Sequence, residues 1–333
     1  MDERLKYVSA MRVMAMMMIV AFHSMLFYTG KWWVFGGPVI PLWVKASSFL
    51  DAIDLPMFVF IAGFLFGHLY KFKGKYRDKS QFVIGKARRL LVPYLVWGLF
   101  LVYVLPPYNH LADMLTGISH LWFLLMLFDV FLIAIASAHV LFREGPAFQW
   151  AIFFVGSILL FCAFHIFSTH HHFLCLHSAL YYLPAFILGV GFACLRLHSR
   201  ITAKTASVVL VVALACQSAY LFLCPVQTYF ADYAILLMTG YAIVASSFVL
   251  LGRTANFGPK ASAFIAHFDK LSMGIYIFNQ IVINAFLGIP GTIPFLSEHY
   301  YVGVPIIFVV SFAVPWLLSW LFNRFRCLKW LLG

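Results

Sequence analysis

Apolar runs of about twenty residues recur along this chain and leave it few possible folds. A bilayer's hydrocarbon is ~30 Å thick and an α-helix rises ~1.5 Å per residue, so ~20 apolar residues make one crossing. Ten such runs are legible, at approximately 8–29, 48–70, 82–105, 119–142, 148–168, 174–195, 204–224, 229–251, 262–289 and 301–323. The connections are short, and there is no internal repeat. The residues are 64% hydrophobic and only 10% charged, whereas soluble domains run near 45–50% and about 25%. A chain this apolar has lipid as its main solvent. In lipid every backbone polar group must find its partner within the protein, which a helix achieves alone. The sequence therefore predicts an all-α integral membrane protein of about ten transmembrane helices. It predicts a single membrane-embedded domain over 1–333, with no appended soluble domain. The first stretch, Tyr7 to Tyr28, is too long for a leader core and no small-residue cleavage site follows it, so it is read as a retained span.

Charge placement sets the orientation. The net charge is +12, but the basic residues sit between the spans, where they act as topology signals rather than as a nucleic-acid surface. With ten spans, Arg4, Lys6, Arg12, the Lys71–Lys79 loop with Arg77, Lys86, Arg88, Arg89 and the later basic residues fall on one side. Only Lys31 and Lys45 of the 23 Lys and Arg residues fall on the other. The expected arrangement is multi-pass, with cytoplasmic N- and C-termini. The opposite loops, "PPYNHLADMLTGISH", "STHHHF", "CPVQTY" and "IPGTIPFLSEHYY", carry no Lys or Arg. No metal is expected from His170, His171 and His172, because consecutive side chains diverge whereas helical ligands want i, i+4 spacing. His165 and His177 lie near them in sequence without a carboxylate or cysteine to complete a set. The six cysteines show no C-x-x-C spacing, and the spacing rules do not favour a bridge between Cys175 and Cys224.

Within the first run, "MRVMAMMMIVAFH" begins on Arg12 and ends on His23. Eleven residues at ~100° each bring both to one helix face, about 16 Å apart along the axis. Arg12 can be an anchor that snorkels to lipid phosphate, and His23 an interfacial histidine with a satisfied hydrogen bond. Against this, ionisable groups inside spans tend to serve function. Other polar residues within the spans are Asp51 and Asp54 at the start of the second, His120 at the start of the fourth and Asp129 near its middle. The ninth carries Asn279, Gln280 and Asn284, which must face protein or a wet cavity, and that span is open to being broken.

Arginine, ten residues and then histidine in the first span resembles the signature of the acyltransferase-3 family of integral membrane O-acyltransferases. Four further stretches resemble that family's motifs in order: "LPMFVFIAGFLF" (55–66), "FVIGKARRLLVPYLVW" (82–97), "HLWFLLMLF" (120–128) and "LSMGIYIFNQIV" (271–282). The chain departs from the usual pattern at Ser9 (often Asp), Ala62 (often Ser), Lys86 (often Arg) and Asn279 (often His). The resemblance implies transfer of an acyl group, usually acetyl, from cytoplasmic acyl-CoA to a carbohydrate hydroxyl at the outer face. It implies acetyl-CoA as the donor substrate and no metal. Arg12, Lys86 and Arg89 are then the expected donor-binding residues, since Arg and Lys suit phosphate and Lys86 and Arg89 share a face at i, i+3. His23 is the expected general base, with an acetyl-histidine intermediate as the alternative. Arg12, Asp54 and His120 join it in the expected catalytic set, Asp54 as the carboxylate that would orient the imidazole. Trp122 and Asn279 are expected to face the carbohydrate acceptor. The alternatives are a secondary transporter or flippase, which also explains many spans, a succinyl-CoA-dependent transferase, and a membrane partner without catalysis.

Overall fold

The computed structural model describes residues 6–32, 35–76, 78–104, 109–167, 173–224, 229–254 and 257–333. Arg4, Arg77 and the histidines 170–172 lie outside the described residues. Among those described there are helices and no strand. They are α1 (Lys6–Leu26), α2 (Pro41–Asp51), α3 (Asp54–Lys73), α4 (Lys79–Val104), α5 (Trp122–Ala136), α6 (Ala138–Leu141), α7 (Gln149–Phe167), α8 (Leu176–Cys194), α9 (Leu197–Arg200), α10 (Ala203–Leu223), α11 (Tyr229–Thr254), α12 (Pro259–Leu287), α13 (Thr292–Glu298), α14 (Tyr300–Arg324) and α15 (Arg326–Lys329). Among the described residues, ten stretches of helix are long and apolar enough to cross a membrane, which bears out the number read from the apolar runs. All of the cysteines are free.

Helix ends follow local chemistry. Thr202 caps α10 by accepting from the Thr205 amide at 3.1 Å, and Asp78 does the same for α4 through Gln81 at 3.0 Å. Proline opens α2 at Pro41 and α12 at Pro259, where its missing N–H would have had no partner in any case. Gly74, with φ +61°, follows the last residue of α3, the left-handed stop that glycine adopts without strain.

The second apolar run departs from expectation. It is not one rod over 48–70 but two helices, α2 and α3, meeting at residues 52 and 53. The cause is Asp54-Leu55-Pro56: Asp54 Oδ1 accepts from the Leu55 amide, and Pro56 cannot donate to the carbonyl of Ala52. The ninth run departs the other way. Despite its polar residues, α12 is continuous over Pro259–Leu287: Asn279 bonds to α1 and α14, and Asn284 accepts from the Trp32 indole at 3.0 Å.

The chain divides into two compact units, Met1–Phe58 with His198–Arg324, and Val59–Leu197 with Phe325–Gly333. In the first, α1 is central and packs on α2, α11, α12 and α14. Val13, Met16 and Val20 of α1 form a core with Leu271 and Ile275 of α12. Farther along, Leu26, Phe27 and Tyr28 cluster with Ile283, Leu287 and Ile307. In the second unit α5 packs on α4 and α8, and α7 pairs with α8. Its terminal segment folds back on α4, where the Trp97 indole donates to the Leu331 carbonyl at 2.9 Å.

Two glycines set the closest approach in the second unit. A Cβ on Gly63 would strike the Phe186 carbonyl, and one on Gly189 would strike the Phe60 carbonyl. Small residues at such crossings let membrane helices pack backbone to backbone. Gly63→Leu is therefore expected to destabilise the protein by at least about 1–3 kcal/mol, the usual range for overpacking, because the obstacle is backbone that cannot rotate away. A lowered unfolding midpoint in detergent is the expected reading, and an unchanged midpoint would contradict this crossing.

Candidate functional site

Five polar side chains, in three links, tie α1 to α12 in the first unit. Near the start of α1, the Arg12 guanidinium donates through Nη1 to Asp269 Oδ1 at 2.6 Å, and the Ser9 hydroxyl donates to Oδ2 of the same carboxylate at 2.7 Å. Ser9 and Arg12 are three residues apart and thus neighbours on one helix face. The ion pair is part-buried, with 27% of the arginine and 12% of the aspartate side chain exposed. Three turns farther along, His23 Nδ1 lies 2.6 Å from Asn279 Oδ1. The sequence separations of the Arg12–Asp269 and His23–Asn279 links, 257 and 256, are nearly equal, so the helices run parallel in constant register. The shared face expected from the spacing of Arg12 and His23 is thus the face that meets α12.

Around His23 the polar groups are sealed. Asn279 is 0% exposed and the histidine 9%. The Asn279 amide nitrogen donates to the Ser311 carbonyl of α14 at 3.0 Å. Ser24 donates to the Val20 carbonyl and its hydroxyl lies 3.4 Å from that of Ser311. This buried triangle of α1, α12 and α14 is held by hydrogen bonds that occupy both the oxygen and the nitrogen of the Asn279 amide, as a polar group in an apolar interior requires.

Two of the expected residues in this unit have other partners. Asp54 does not orient His23: the ring's Nδ1 partner is Asn279, and the Asp54 carboxylate caps the first turn of α3 with Oδ1, while Oδ2 has no hydrogen-bond partner. Asn279, expected to face the acceptor, is 0% exposed and spends its amide oxygen on His23 and its amide nitrogen on the Ser311 carbonyl. The residue that sequence reasoning missed is Asp269. Its signal was available: it is the only carboxylate in α12, in a chain with 11 acidic residues.

The second unit holds the other expected residues. Lys86 places its ammonium 3.6 Å from the centroid of the Phe131 ring and 5.5 Å from that of Phe82, a cation–π arrangement. The rings belong to an aromatic cluster in which Phe66 touches Tyr76, Phe82, Phe131 and Phe186. Arg89, one turn on along α4, is exposed. Burial raises the Tyr76 phenol above its ordinary range, and the charge of Arg89 opposes that rise, so this arginine lies within electrostatic reach of the cluster. Arg196 stacks its guanidinium on Phe72 at 4.8 Å, beside the Lys71–Lys73 end of α3. His120 is 5% exposed, its Nδ1 3.5 Å from the Ser119 hydroxyl. Trp122 stacks on Tyr182, with ring centroids 6.1 Å apart. Asp129, in the middle of α5, has a buried Oδ2 without a hydrogen-bond partner.

Chemically, the first unit offers an imidazole held in an apolar interior on the same helix as a paired guanidinium. The second offers cations carried on aromatic faces. Among the described residues no group of three His, Cys, Asp or Glu side chains is placed to hold a metal ion. A family model described as an acyltransferase domain matches residues 5–320. No curated protein and no solved structure matches the chain.

Proposed function

Because the chain belongs to the acyltransferase-3 family, we propose that it transfers an acetyl group from cytoplasmic acetyl-CoA to a hydroxyl of a cell-envelope carbohydrate at the outer face of the plasma membrane, with His23 as general base. The observation that carries this reading is the buried His23–Asn279 pair on the same face of α1 as the Arg12–Asp269 pair. At ~1.5 Å per residue the two pairs stand about 16 Å apart, a distance that an extended pantetheine arm covers. Both termini are cytoplasmic in this reading, which puts Arg12 toward the inner surface and His23 toward the outer leaflet.

A sugar hydroxyl is a poor nucleophile at neutral pH and needs a base in hydrogen-bond reach. His23 takes the hydroxyl proton as the sugar oxygen bonds to the thioester carbonyl carbon. The C–S bond then breaks, the sulfur keeps the electron pair, and the proton passes from the imidazolium to give free CoA thiol. Arg12, Lys86 and Arg89 supply positive charge for the CoA phosphates. Arg contributes directional N–H donors and Lys a point charge. The aromatic rings beneath Lys86 carry its stem and hold its ammonium in place.

The test offers the purified protein labelled acetyl-CoA, or succinyl-CoA, together with envelope glycans, and reads acyl-glycan by mass spectrometry. Acetylated glycan is the expected product. Substrate counterflow across proteoliposomes with no acylation from either donor would overturn the reading in favour of a transporter. The donor-site assignment has its own expected result. Each charge-assisted contact contributes about 1.5–3 kcal/mol, so Lys86→Ala with Arg89→Ala should weaken acetyl-CoA binding roughly tenfold or more. Unchanged affinity in calorimetry would remove those two residues from the donor site.

A further inference from the structure

Which ring nitrogen of His23 carries the proton is decided by a proline on another helix. In α14 the Ser311 carbonyl would ordinarily accept from the amide four residues later, but that residue is Pro315, which has no N–H. The carbonyl is left without its helical donor in an apolar interior, where an unpaired acceptor is costly. Asn279 supplies the missing donor from its amide nitrogen at 3.0 Å. Turning that amide over would set its oxygen against the Ser311 oxygen, acceptor facing acceptor, so its orientation is fixed by the network.

The consequence reaches α1. With its nitrogen committed to Ser311, Asn279 can offer His23 only its oxygen, at 2.6 Å from Nδ1. An amide oxygen accepts and cannot donate, so Nδ1 must carry the hydrogen. A neutral imidazole has one N–H, which leaves the lone pair on Nε2. Nε2 has no hydrogen-bond partner among the described residues, and His23 as a whole residue is 9% exposed while Asn279 is 0%.

We propose that Asn279 is a positioning residue, held in orientation by the carbonyl that Pro315 frees, which fixes His23 as the Nδ1–H tautomer and reserves Nε2 as the atom that receives the acceptor's hydroxyl proton. This rests on the reading of His23 as general base. In the transfer step the proton goes from the sugar oxygen to Nε2, the new C–O bond forms, the C–S bond breaks, and Nε2 returns the proton to the departing sulfur. Nδ1–H stays bonded to Asn279 throughout, so the ring cannot flip between the two proton movements. A neutral amide rather than a carboxylate at this place orients the ring without forming an ion pair with it.

The test is nitrogen NMR of the whole protein in lipid nanodiscs, with ¹⁵N-histidine and the His23 signals assigned by their loss in His23→Asn. The expected wild-type spectrum has a protonated Nδ1 and an unprotonated Nε2 at neutral pH. Asn279→Leu, similar in volume but unable to accept, is expected to populate the other tautomer. It should lower kcat about ten- to a hundredfold, the scale on which loss of a supporting hydrogen bond acts, with KM for acetyl-CoA little changed. Asn279→Asp still offers Nδ1 an acceptor and should retain the tautomer, while its second oxygen meets the Ser311 carbonyl without a hydrogen to donate and should lower the unfolding midpoint. A wild-type Nε2–H signal overturns the proposal, and so does Asn279→Leu with unaltered tautomer and kcat. If the leucine variant does not fold, the wild-type spectrum still decides. Full transfer activity in His23→Asn with the expected wild-type spectrum would instead remove His23 as the base while leaving the tautomer assignment intact.

Discussion

Replacing His23 with alanine is expected to lower acyl transfer by about 10²–10⁴-fold, the usual contribution of a positioned general base. Donor binding should persist, since Arg12 lies three helical turns away on the same face. The variant also strands the Asn279 oxygen and opens a small cavity, which together cost a few kcal/mol of stability. His23→Asn separates the two effects. Its side-chain amide can still donate to Asn279 Oδ1 but has no basic nitrogen, so it should fold better than the alanine variant and be just as inactive. Labelled acetyl transfer, with unfolding midpoints measured on the same preparations, reads both quantities. Undiminished transfer in either variant would take His23 out of the reaction.

How much of this could be read from the sequence divides along physical lines. The ten crossings were legible because hydrocarbon thickness translates directly into run length. The common face of Arg12 and His23 was legible because helical geometry is periodic. What α1 packs against was not legible, since no local rule brings a helix near residue 270 beside one near residue 12. Asp269 and Asn279 therefore entered as partners only in three dimensions, and Asp54 was given a part that belongs to Asn279. The break between α2 and α3 was hidden because hydropathy averages over Asp54 and Pro56, whereas the backbone responds to each of them. Pro315 carried a signal that pattern reading passes over. A proline inside a spanning helix implies a carbonyl four residues earlier that some other helix must satisfy, and here that helix is α12.

Asp269→Ala is expected to destabilise the protein without abolishing donor binding, which distinguishes it from Arg12→Ala. Breaking a fully buried ion pair from one side costs about 3–5 kcal/mol, and an exposed pair contributes only about 0.2–1. With 27% of the arginine and 12% of the aspartate side chain exposed, this pair falls between, and a loss of about 2 kcal/mol is the expected value. Ser9→Ala removes one hydrogen bond to the same carboxylate and should cost about 1 kcal/mol. Donor affinity responds to two opposed effects. Removing the carboxylate raises the positive potential that the CoA phosphates meet, by about 1–2 kcal/mol at a partly screened site. It also releases a long side chain whose ordering is worth a similar amount. The two nearly cancel, so acetyl-CoA affinity should stay within about threefold, whereas Arg12→Ala removes a phosphate contact and should lose about tenfold or more. The decisive reading is the double variant, Arg12→Ala with Asp269→Ala. With no part-buried guanidinium left without its carboxylate, it should be more stable than Asp269→Ala alone, a coupling that thermal unfolding of the four proteins in one detergent measures directly. Additive losses would mean that the two side chains contribute independently, and α1 would then owe its register on α12 to the apolar core and the His23–Asn279 link.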